Sequence, residues 1–319
     1  MKVCVLQPDY SPSNVDYKKY DPPRNLSSLL PNDEVDHVFL NKLTTYKQLK
    51  ALANQDYDIF INLCEAYLEW DVPSIDVIYT LDLLNLPYTG PTQELYDPSK
   101  ELMKYVAHVA GVEVPNFRVV SNLDDLNDLT TQLKFPLFIK PSKAGDSLGV
   151  DDHSYVQDEK SLFIKVRDLL EEYGEVMVEE FIEGREFTIL VAADLKDDKK
   201  CISFKPVEYL FPPGFSFKTY ALKTSELHPE SNIACREETI ERKLRKAASA
   251  IFREFGGKGY ARLDFRMNPK GKLYFLEVNF TCSVFYPIGF EGSADHILNL
   301  DGIGPVSYTH LTLPTNREV

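Results

Sequence analysis

Four polar side chains interrupt two apolar segments late in the sequence. Arg262 and Asp264 alternate with apolar neighbours in one segment, and Glu277 and Asn279 do the same in the next. Because successive side chains of a strand point to opposite faces, each pair shares one face of its strand. The residues between the segments, 268–271, read Asn-Pro-Lys-Gly. Such turn residues predict a hairpin that brings the four polar groups together.

Two carboxylates and an amide oxygen are hard ligands of the kind that Mg²⁺ accepts beside water and substrate phosphates. We therefore expect Asp264, Glu277 and Asn279 to bind magnesium, with Arg262 next to a transferring phosphoryl or acyl group. The spacing alone is equally typical of an exposed strand pair with a polar outer face. The rest of the chain has to decide between the two readings.

A candidate phosphate site precedes this hairpin. The predicted strand 136–141 carries Lys140 and runs into a glycine-containing loop, 142–149, that includes Ser147. Backbone N–H groups of such a loop can bind a phosphate, and the lysine adds positive charge. An ordinary hairpin turn explains the loop as well. Lys100 lies in the first turn of a helix predicted after the capping residues of 97–99.

Features suited to a nucleoside follow. A predicted strand over 176–182 ends in Glu179-Glu180-Phe181-Ile182, where backbone groups could meet a base. Glu186 opens the next strand, where its carboxylate could accept hydrogen bonds from ribose hydroxyls. A charged hairpin loop is the competing interpretation. The segment 206–230 is predicted to be irregular and contains Lys223. Long irregular loops are often functional, with disorder as the alternative.

Composition limits the classes of partner. A chain of 319 residues with 44% hydrophobic content predicts a folded protein of two or three subdomains. The net charge of −14 argues against nucleic acid or an anionic membrane as a partner. Five scattered cysteines suggest neither disulfides nor a zinc site, and they favour the reducing cytoplasm. No run of residues suggests a targeting or membrane-spanning segment.

Periodicity predicts a small N-terminal α/β domain. Strands are expected at 2–6, 58–63 and 86–90, with helices at 46–54 and 73–84. This alternation is typical of a parallel sheet. Further along, we predict a strand at 117–120, an acidic helix at 123–132, and helices at 161–173 and 237–255.

The ordered set of these residues resembles the ATP-grasp superfamily and, within it, the D-alanine:D-alanine ligase group. The resemblance covers about residues 57–279. It includes Leu-Pro-Tyr-Thr-Gly at 86–90, ahead of the Lys100 helix, and Phe-Pro-Leu-Phe-Ile-Lys-Pro-Ser at 135–142.

The fold implied is mixed α/β and α+β, with a Rossmann-like N-terminal domain and two α+β lobes that grip ATP. The implied segments are a pre-ATP-grasp domain at 1–95, a small lobe at 96–178 and a C-terminal lobe at 179–300. Residues 305–319 look like a non-native tail, produced either by read-through from a vector or by an assembly error.

The resemblance also implies residue roles. ATP phosphates would meet Lys100, Lys140, the Ser147 loop and, from a mobile loop, Lys223. The adenine hinge would be Glu179, Glu180, Phe181 and Ile182, with Glu186 on the ribose. Two Mg²⁺ ions, for which Mn²⁺ can substitute, would be held by Asp264, Glu277 and Asn279. Arg262 would stabilise the acyl-phosphate and the tetrahedral intermediate, so that Arg262 and Lys223 are the implied catalytic residues.

Departures from the family concern the substrates. Residues 7–14 lack the family's glycine-rich loop with its glutamate, and Asn-Leu-Cys-Glu stands at 62–65 where the family has a histidine. Thr224 replaces a tyrosine, and the family's substrate elements after Asn279 are absent. ATP chemistry is therefore better supported than the identity of the substrates, and synthesis of a dipeptide from two D-alanines is not expected.

The resemblance thus implies an ATP-dependent carboxylate:amine ligase that acts through an acyl-phosphate on an amino acid or small peptide. Two alternatives use the same fold. One is a catalytically weak nucleotide-binding regulatory protein, and the other is a small-molecule phosphotransferase. Family members often form homodimers through the N-terminal domain, so a homodimer is a further expectation.

Overall fold

The computed structural model describes residues 1–13, 17, 21–66, 70–143, 148–194, 197, 200–217 and 231–301. The predicted site residues Ser147 and Lys223, and the tail at 305–319, lie outside the described residues. The described chain forms three sheets, of three, four and six strands.

The first sheet is parallel, with strand order β2-β1-β3. It contains β1 (Lys2–Pro8), β2 (Glu34–Leu40) and β3 (Ile59–Asn62). Helices α1 (Thr45–Leu52) and α2 (Ile75–Leu83) follow β2 and β3 in the chain, and their buried residues share one core with Leu6 and Phe60. The predicted α/β alternation is therefore confirmed, although β2 was not predicted. All its residues except Leu40 are exposed or half-buried, which weakens the apolar signal in the sequence.

The prediction of a strand at 86–90 is wrong. Tyr88 makes only an isolated parallel bridge with Phe60. Pro87 has no N–H to donate, so this stretch cannot continue a ladder. Helix α3 (Lys100–Val109) begins shortly afterwards, where Oγ of Ser99 accepts a hydrogen bond from the N–H of Leu102 at 3.3 Å.

The four-stranded sheet is antiparallel, in the order β4-β7-β5-β6. Its strands are β4 (Phe117–Val120), β5 (Leu137–Pro141), β6 (Tyr155–Val156) and β7 (Val176–Glu180). The acidic helix predicted at 123–132 is instead a 3₁₀ turn, Leu123–Leu126, followed by a short helix, α4 (Leu129–Gln132). Helix α5 (Glu159–Tyr173) covers the sheet, with Leu162, Val166 and Leu169 in the shared core.

The six-stranded sheet has the order β11-β10-β8-β12-β13, with β9 paired to β8. Its strands are β8 (Arg185–Ala193), β9 (Cys201–Ser203), β10 (Val207–Tyr209), β11 (Asn232–Ala234), β12 (Tyr260–Met267) and β13 (Leu273–Asn279). The sequence predicts an irregular stretch at 206–230, but β10 lies within it. The prediction is correct for the other described residues of that stretch.

This sheet is covered on both faces. Helix α6 (Glu238–Glu254) packs on one face with α3, and its buried residues follow the predicted helical spacing. The first sheet packs on the other face, where Val5 and Ile61 share a core with Tyr260. Helix α7 (Ser293–Asp301) joins that second core. β8 is therefore buried along nearly its whole length.

Residues 181–184 connect β7 to β8 and so link the four-stranded sheet to the six-stranded one. The segment boundary implied by the resemblance, at 178/179, falls inside β7, two residues before this connection.

Candidate functional site

An open cleft of about 1230 Å³ lies where residues from all three sheets meet. The described part of the predicted set lines it: Lys100, Lys140, Glu179, Glu180, Phe181, Ile182, Glu186, Arg262, Asp264, Glu277 and Asn279. Residues separated by as many as 179 positions therefore face one space. Their predicted ligand roles stay predictions.

The predicted hairpin is present and lines one wall of the cleft. Arg262 stands directly opposite Asn279, and Asp264 opposite Glu277, across β12 and β13. Nη2 of Arg262 lies 3.1 Å from Oδ2 of Asp264. Oδ1 of Asn279 accepts hydrogen bonds from the N–H and the hydroxyl of Thr281, at 2.9 and 3.1 Å. The predicted meeting of four polar groups is confirmed.

The donor set on this wall fits magnesium. Two carboxylates and one amide, all oxygen donors, share one face of the hairpin and border the cleft. No group of three or more His, Cys, Asp or Glu side chains that could hold a metal occurs in the described ranges. A hard cation whose coordination is completed by water and phosphate oxygens suits Asp264, Glu277 and Asn279.

Another wall of the cleft contains Lys140 and Glu179, and buried Lys104 pairs with that glutamate from behind the lining residues. Nζ of Lys140, on β5, lies 2.6 Å from Oε1 of Glu179, on β7. Nζ of Lys104, on α3, lies 2.8 Å from Oε2 of the same carboxylate. All three residues are at most 6% exposed. Two positive charges thus share one negative charge, which leaves this wall positive.

The charges shift one another's pKa values. Burial by itself raises the pKa of Glu179, but Lys104 and Lys140 outweigh it and bring the pKa down to about 2. Burial lowers the pKa of Lys104 to about 8, although Glu179 opposes that change. The pKa of Lys140 is raised, because Glu179 and Glu277 together outweigh its burial. Lys140 therefore stays cationic in the cleft.

Lys100 stands at the start of α3 beside the end of β5. Its backbone N–H donates to the carbonyl of Ser142 at 3.4 Å, and its side chain is 6% exposed. Burial lowers the pKa of Lys100, while the charge of Glu277 opposes this shift. The hydroxyl of Ser142 is buried and has no hydrogen-bond partner among the described residues. Lys100 and Ser142 both line the cleft, so these donors face the same space.

An aromatic surface flanks the connection between β7 and β8. The ring of Phe181 lies 4.9 Å from that of Tyr155 and 6.1 Å from that of Phe138. The N–H of Phe181 donates to the carbonyl of Pro136 at 2.9 Å, which fixes the backbone. Flat aromatic faces beside ordered backbone suit a planar base. The carboxylate of Glu180 instead accepts from Asn116.

Two functional candidates at this end were not predicted. Arg266 follows Arg262 and Asp264 on the same face of β12 and stands directly opposite Glu186 on β8. Lys104 lies one helical turn after Lys100 on α3. The period-2 alternation that identified Arg262 would have included Arg266, and the i, i+4 spacing would have included Lys104.

The other end of the cleft is acidic and aromatic. Buried Arg24 pairs with Asp21 at 2.7 Å and lies 3.8 Å from Glu65. Glu65 follows β3 and accepts a hydrogen bond from Oγ of Ser283 at 2.6 Å. The guanidinium of Arg24 lies 4.6 Å from the ring of Tyr286. One cation between two carboxylates leaves this end negative, so it suits a ligand that carries an ammonium group.

Comparison with known proteins gives a consistent result. The family model for the D-ala D-ala ligase C-terminus matches residues 106–287. The chain is 31% identical over 202 residues to the D-alanine–D-alanine ligase of Aquifex aeolicus, across 62% of this chain and 64% of that protein. It is 28% identical over 239 residues to D-alanine–D-alanine ligase B of Chromobacterium violaceum, across 73% of each. The match to the Aquifex protein thus spans just under two thirds of its length.

Solved structures share the fold. The D-alanine–D-alanine ligase of Bacillus anthracis complexed with ATP superposes with a TM-score of 0.63 at 20% identity, covering 96% of this chain and 99% of that one. The VanG D-Ala:D-Ser ligase of Enterococcus faecalis gives 0.63 at 18% identity, covering 94% and 99%. The fold class expected from the sequence is confirmed. In the part of the chain that the structure describes, no helix is long and apolar enough to cross a membrane.

Proposed function

The chain belongs to the D-alanine:D-alanine ligase family, through a C-terminal family match over residues 106–287, and from that premise we propose that it is an ATP-dependent carboxylate:amine ligase. Its substrate is an amino acid or a small peptide. The bond formed is C–N, and an acyl-phosphate is the intermediate.

One observation carries this proposal. The cleft is lined both by the oxygen donors of Asp264, Glu277 and Asn279, here called the oxygen face, and by two lysines. The lysines are Lys100 and Lys140. A carboxylate and a triphosphate repel each other, so bringing them together requires positive charge near both. A protein that only binds a nucleotide would have little use for an arginine paired with one of the carboxylates proposed to bind the metal.

Within this proposal the magnesium ions bind at Asp264, Glu277 and Asn279. When bound, they neutralise phosphate charge and orient the triphosphate. The side chains of Lys100 and Lys140, which line the same cleft, bind phosphate oxygens. Residues 179–182 hold the base, and Glu186 accepts hydrogen bonds from the ribose hydroxyls. Ser147 and Lys223 are proposed as further phosphate contacts from the family resemblance alone.

The reaction balances as two displacements. A carboxylate oxygen of the first substrate attacks the γ-phosphorus of ATP, and ADP leaves. The neutral amine of the second substrate then attacks the acyl carbon, inorganic phosphate leaves with the carboxylate oxygen, and the nitrogen releases one proton to solvent as the amide forms. Arg262 stabilises the negative charge that develops on the acyl oxygen.

The substrate end supports an amino-acid-like ligand. Glu65, held by Ser283, is proposed to bind the ammonium group of the substrate whose carboxylate is activated. Glu65, Asn279 and Ser283 all line the cleft, so the proposed ammonium and magnesium sites open into the same space. Residues 7–14, in and after β1, contain no glutamate. In this proposal Glu65, which follows β3, supplies the negative charge instead.

All five cysteines are free thiols, which supports a reducing cytoplasm as the place of action. The homodimer stays a prediction.

The test is an incubation of the full chain with ATP, Mg²⁺ and separate pools of D- and L-amino acids. Phosphate release that requires an amino acid supports the ligase. Binding of ATP without turnover would support the regulatory alternative, and a stable phosphorylated product would support the phosphotransferase. Either of the last two results overturns the proposal.

A further inference from the structure

Arg266 joins the connection between β7 and β8 to strand β12. Its side chain is buried, with the residue 3% exposed. Nη2 donates a hydrogen bond to the carbonyl oxygen of Gly184 at 3.1 Å. The guanidinium lies 4.4 Å from the ring centroid of Phe181, in cation–π geometry. One side chain therefore contacts both ends of the four-residue connection.

Gly184 fits tightly against the same strand. Its φ is +128°, a conformation that L residues with a side chain rarely adopt, and a Cβ there would lie 2.1 Å from the carbonyl oxygen of Met267. The connection therefore meets the end of β12 at two points, through the backbone of Gly184 and through the guanidinium of Arg266. Its path depends on that strand.

The contacts of Arg266 compensate only in part for the burial of its charge. Nη1 lies 3.8 Å from Oε2 of Glu186, too far for a hydrogen bond, and Nε is buried without a hydrogen-bond partner among the described residues. Burying a charge with incomplete pairing costs free energy, and an apolar side chain of similar volume would often be more stable. A residue kept at such a cost is a candidate for function.

We propose that Arg266 is a positioning residue for the nucleotide. It fixes residues 181–184 against β12 and thereby sets the ring of Phe181 and the carboxylate of Glu186 at the distance that a base and its ribose require. The inference rests on the proposed function, in which residues 179–182 hold the base and Glu186 the ribose. Arg266 itself does not touch the reacting atoms.

This role predicts that removing Arg266 reduces the selectivity of nucleotide binding. If Arg266 orients Glu186, its removal should abolish the preference for ribose over deoxyribose as well as weaken nucleotide binding. A role in stability alone would lower the folded fraction but leave the preference of the folded protein unchanged. The ratio of the two dissociation constants within one variant does not depend on how much of the sample is folded.

The experiment measures the Kd of ATP and of 2′-deoxy-ATP, both with Mg²⁺, by calorimetry on the full chain. The variants are Arg266→Met, Arg266→Lys and the matched control Arg185→Met. Arg185 is on the neighbouring strand, pairs with Glu208 and Glu237, and does not line the cleft. We expect the wild type and the control to prefer ATP by roughly tenfold, as for a hydrogen bond to a charged group.

Both Arg266 variants should bind ATP about tenfold more weakly and lose that preference, because lysine cannot hold Gly184 and cover Phe181 at once. If Arg266→Met does not fold, Arg266→Lys decides. Unchanged preference in the folded Arg266 variants would overturn the inference, as would an equal loss in the control. A wild type that binds ATP without any preference would also overturn it. A wild type that binds no ATP would instead refute the proposed function on which the inference rests.

Discussion

Glu179 and Lys140 form an ion pair of 2.6 Å between neighbouring strands, and Lys104 joins the same carboxylate from α3 at 2.8 Å. The three side chains connect the four-stranded sheet to the helix that carries Lys100. Because two lysines share one carboxylate, the group holds the cleft wall positive and fixes the position of Lys140. The same buried cluster therefore supports both the fold and the proposed phosphate site.

Glu179→Gln should destabilise the fold by about 3 kcal/mol at pH 7, since it leaves two lysines in a buried site without their counter-charge. Urea unfolding of the full chain measures the change. Glu171→Gln, on the exposed side of α5, is the matched control and should be near neutral. A loss as small as that of the control would contradict the assigned cluster.

The same variant has a pH signature. The folded pKa of Glu179 is about 2, below its ordinary value of 4.5, so its contribution is complete above pH 4.5 and is lost as the pH falls towards 2. Glu179→Gln should remove that part of the acid loss from the stability profile. A variant profile that keeps the wild-type slope between pH 4.5 and 2 would show that the carboxylate is not held by the lysines.

The sequence was sufficient where a local pattern and the tertiary structure agree. The alternation of Arg262, Asp264, Glu277 and Asn279 and the turn between them predicted the hairpin and the meeting of its polar groups, because a two-strand pairing with a short turn is a local event. The spacing of Ile240, Leu244 and Ile251 predicted α6 for the same reason.

Prediction failed where the partner is distant in sequence. The carboxylate of Glu179 is held by Lys104, from a helix that begins almost 80 residues earlier, and no local pattern indicates that pair. Arg24 and Glu65 meet only because their loops converge at the edge of the first sheet. Short strands such as β10 depend on pairing with β8, which overrides the weak propensity of a proline- and glycine-rich stretch.

Glu277→Gln should lower kcat by at least about a hundredfold, since it removes an anionic ligand from the proposed magnesium site, and the cation held there would neutralise the charge of the transferring phosphoryl group. The fold should be preserved, because the side chain is partly exposed on the cleft face. Steady-state phosphate release measures the effect. Glu254→Gln, exposed near the end of α6, should leave the rate unchanged. Equal rates for wild type and Glu277→Gln would refute magnesium binding at the oxygen face.

Glu65→Gln should raise the KM for the amino-acid substrate by about tenfold and change kcat much less, because it removes a charged partner of a substrate ammonium. Ser283→Ala should give a smaller change in the same direction. Exposed Glu94, changed to Gln, serves as the control for loss of a carboxylate. An unaltered KM in Glu65→Gln would exclude this residue from substrate binding.

Asp295 holds the segment that borders the substrate end. Its Oδ1 accepts from the N–H of Phe285 at 2.8 Å, and burial raises its pKa from 3.8 to about 6. The folded state thus binds a proton that the unfolded state has lost, so this group makes stability fall as the pH rises from about 4 to 6. Asp295→Asn should flatten that fall in urea unfolding. A variant that keeps the wild-type slope would contradict the assignment.

The central claim is that a substrate carboxylate is phosphorylated in the cleft between Arg262, the oxygen face and the lysines. Its most direct test is a reaction with an amino acid whose carboxylate oxygens are ¹⁸O, followed by mass spectrometry of the inorganic phosphate. Attack by the carboxylate and later loss of phosphate predict one ¹⁸O atom in each phosphate released. Phosphate that carries no label would mean that water, not a carboxylate, accepts the phosphoryl group, and the account would be wrong.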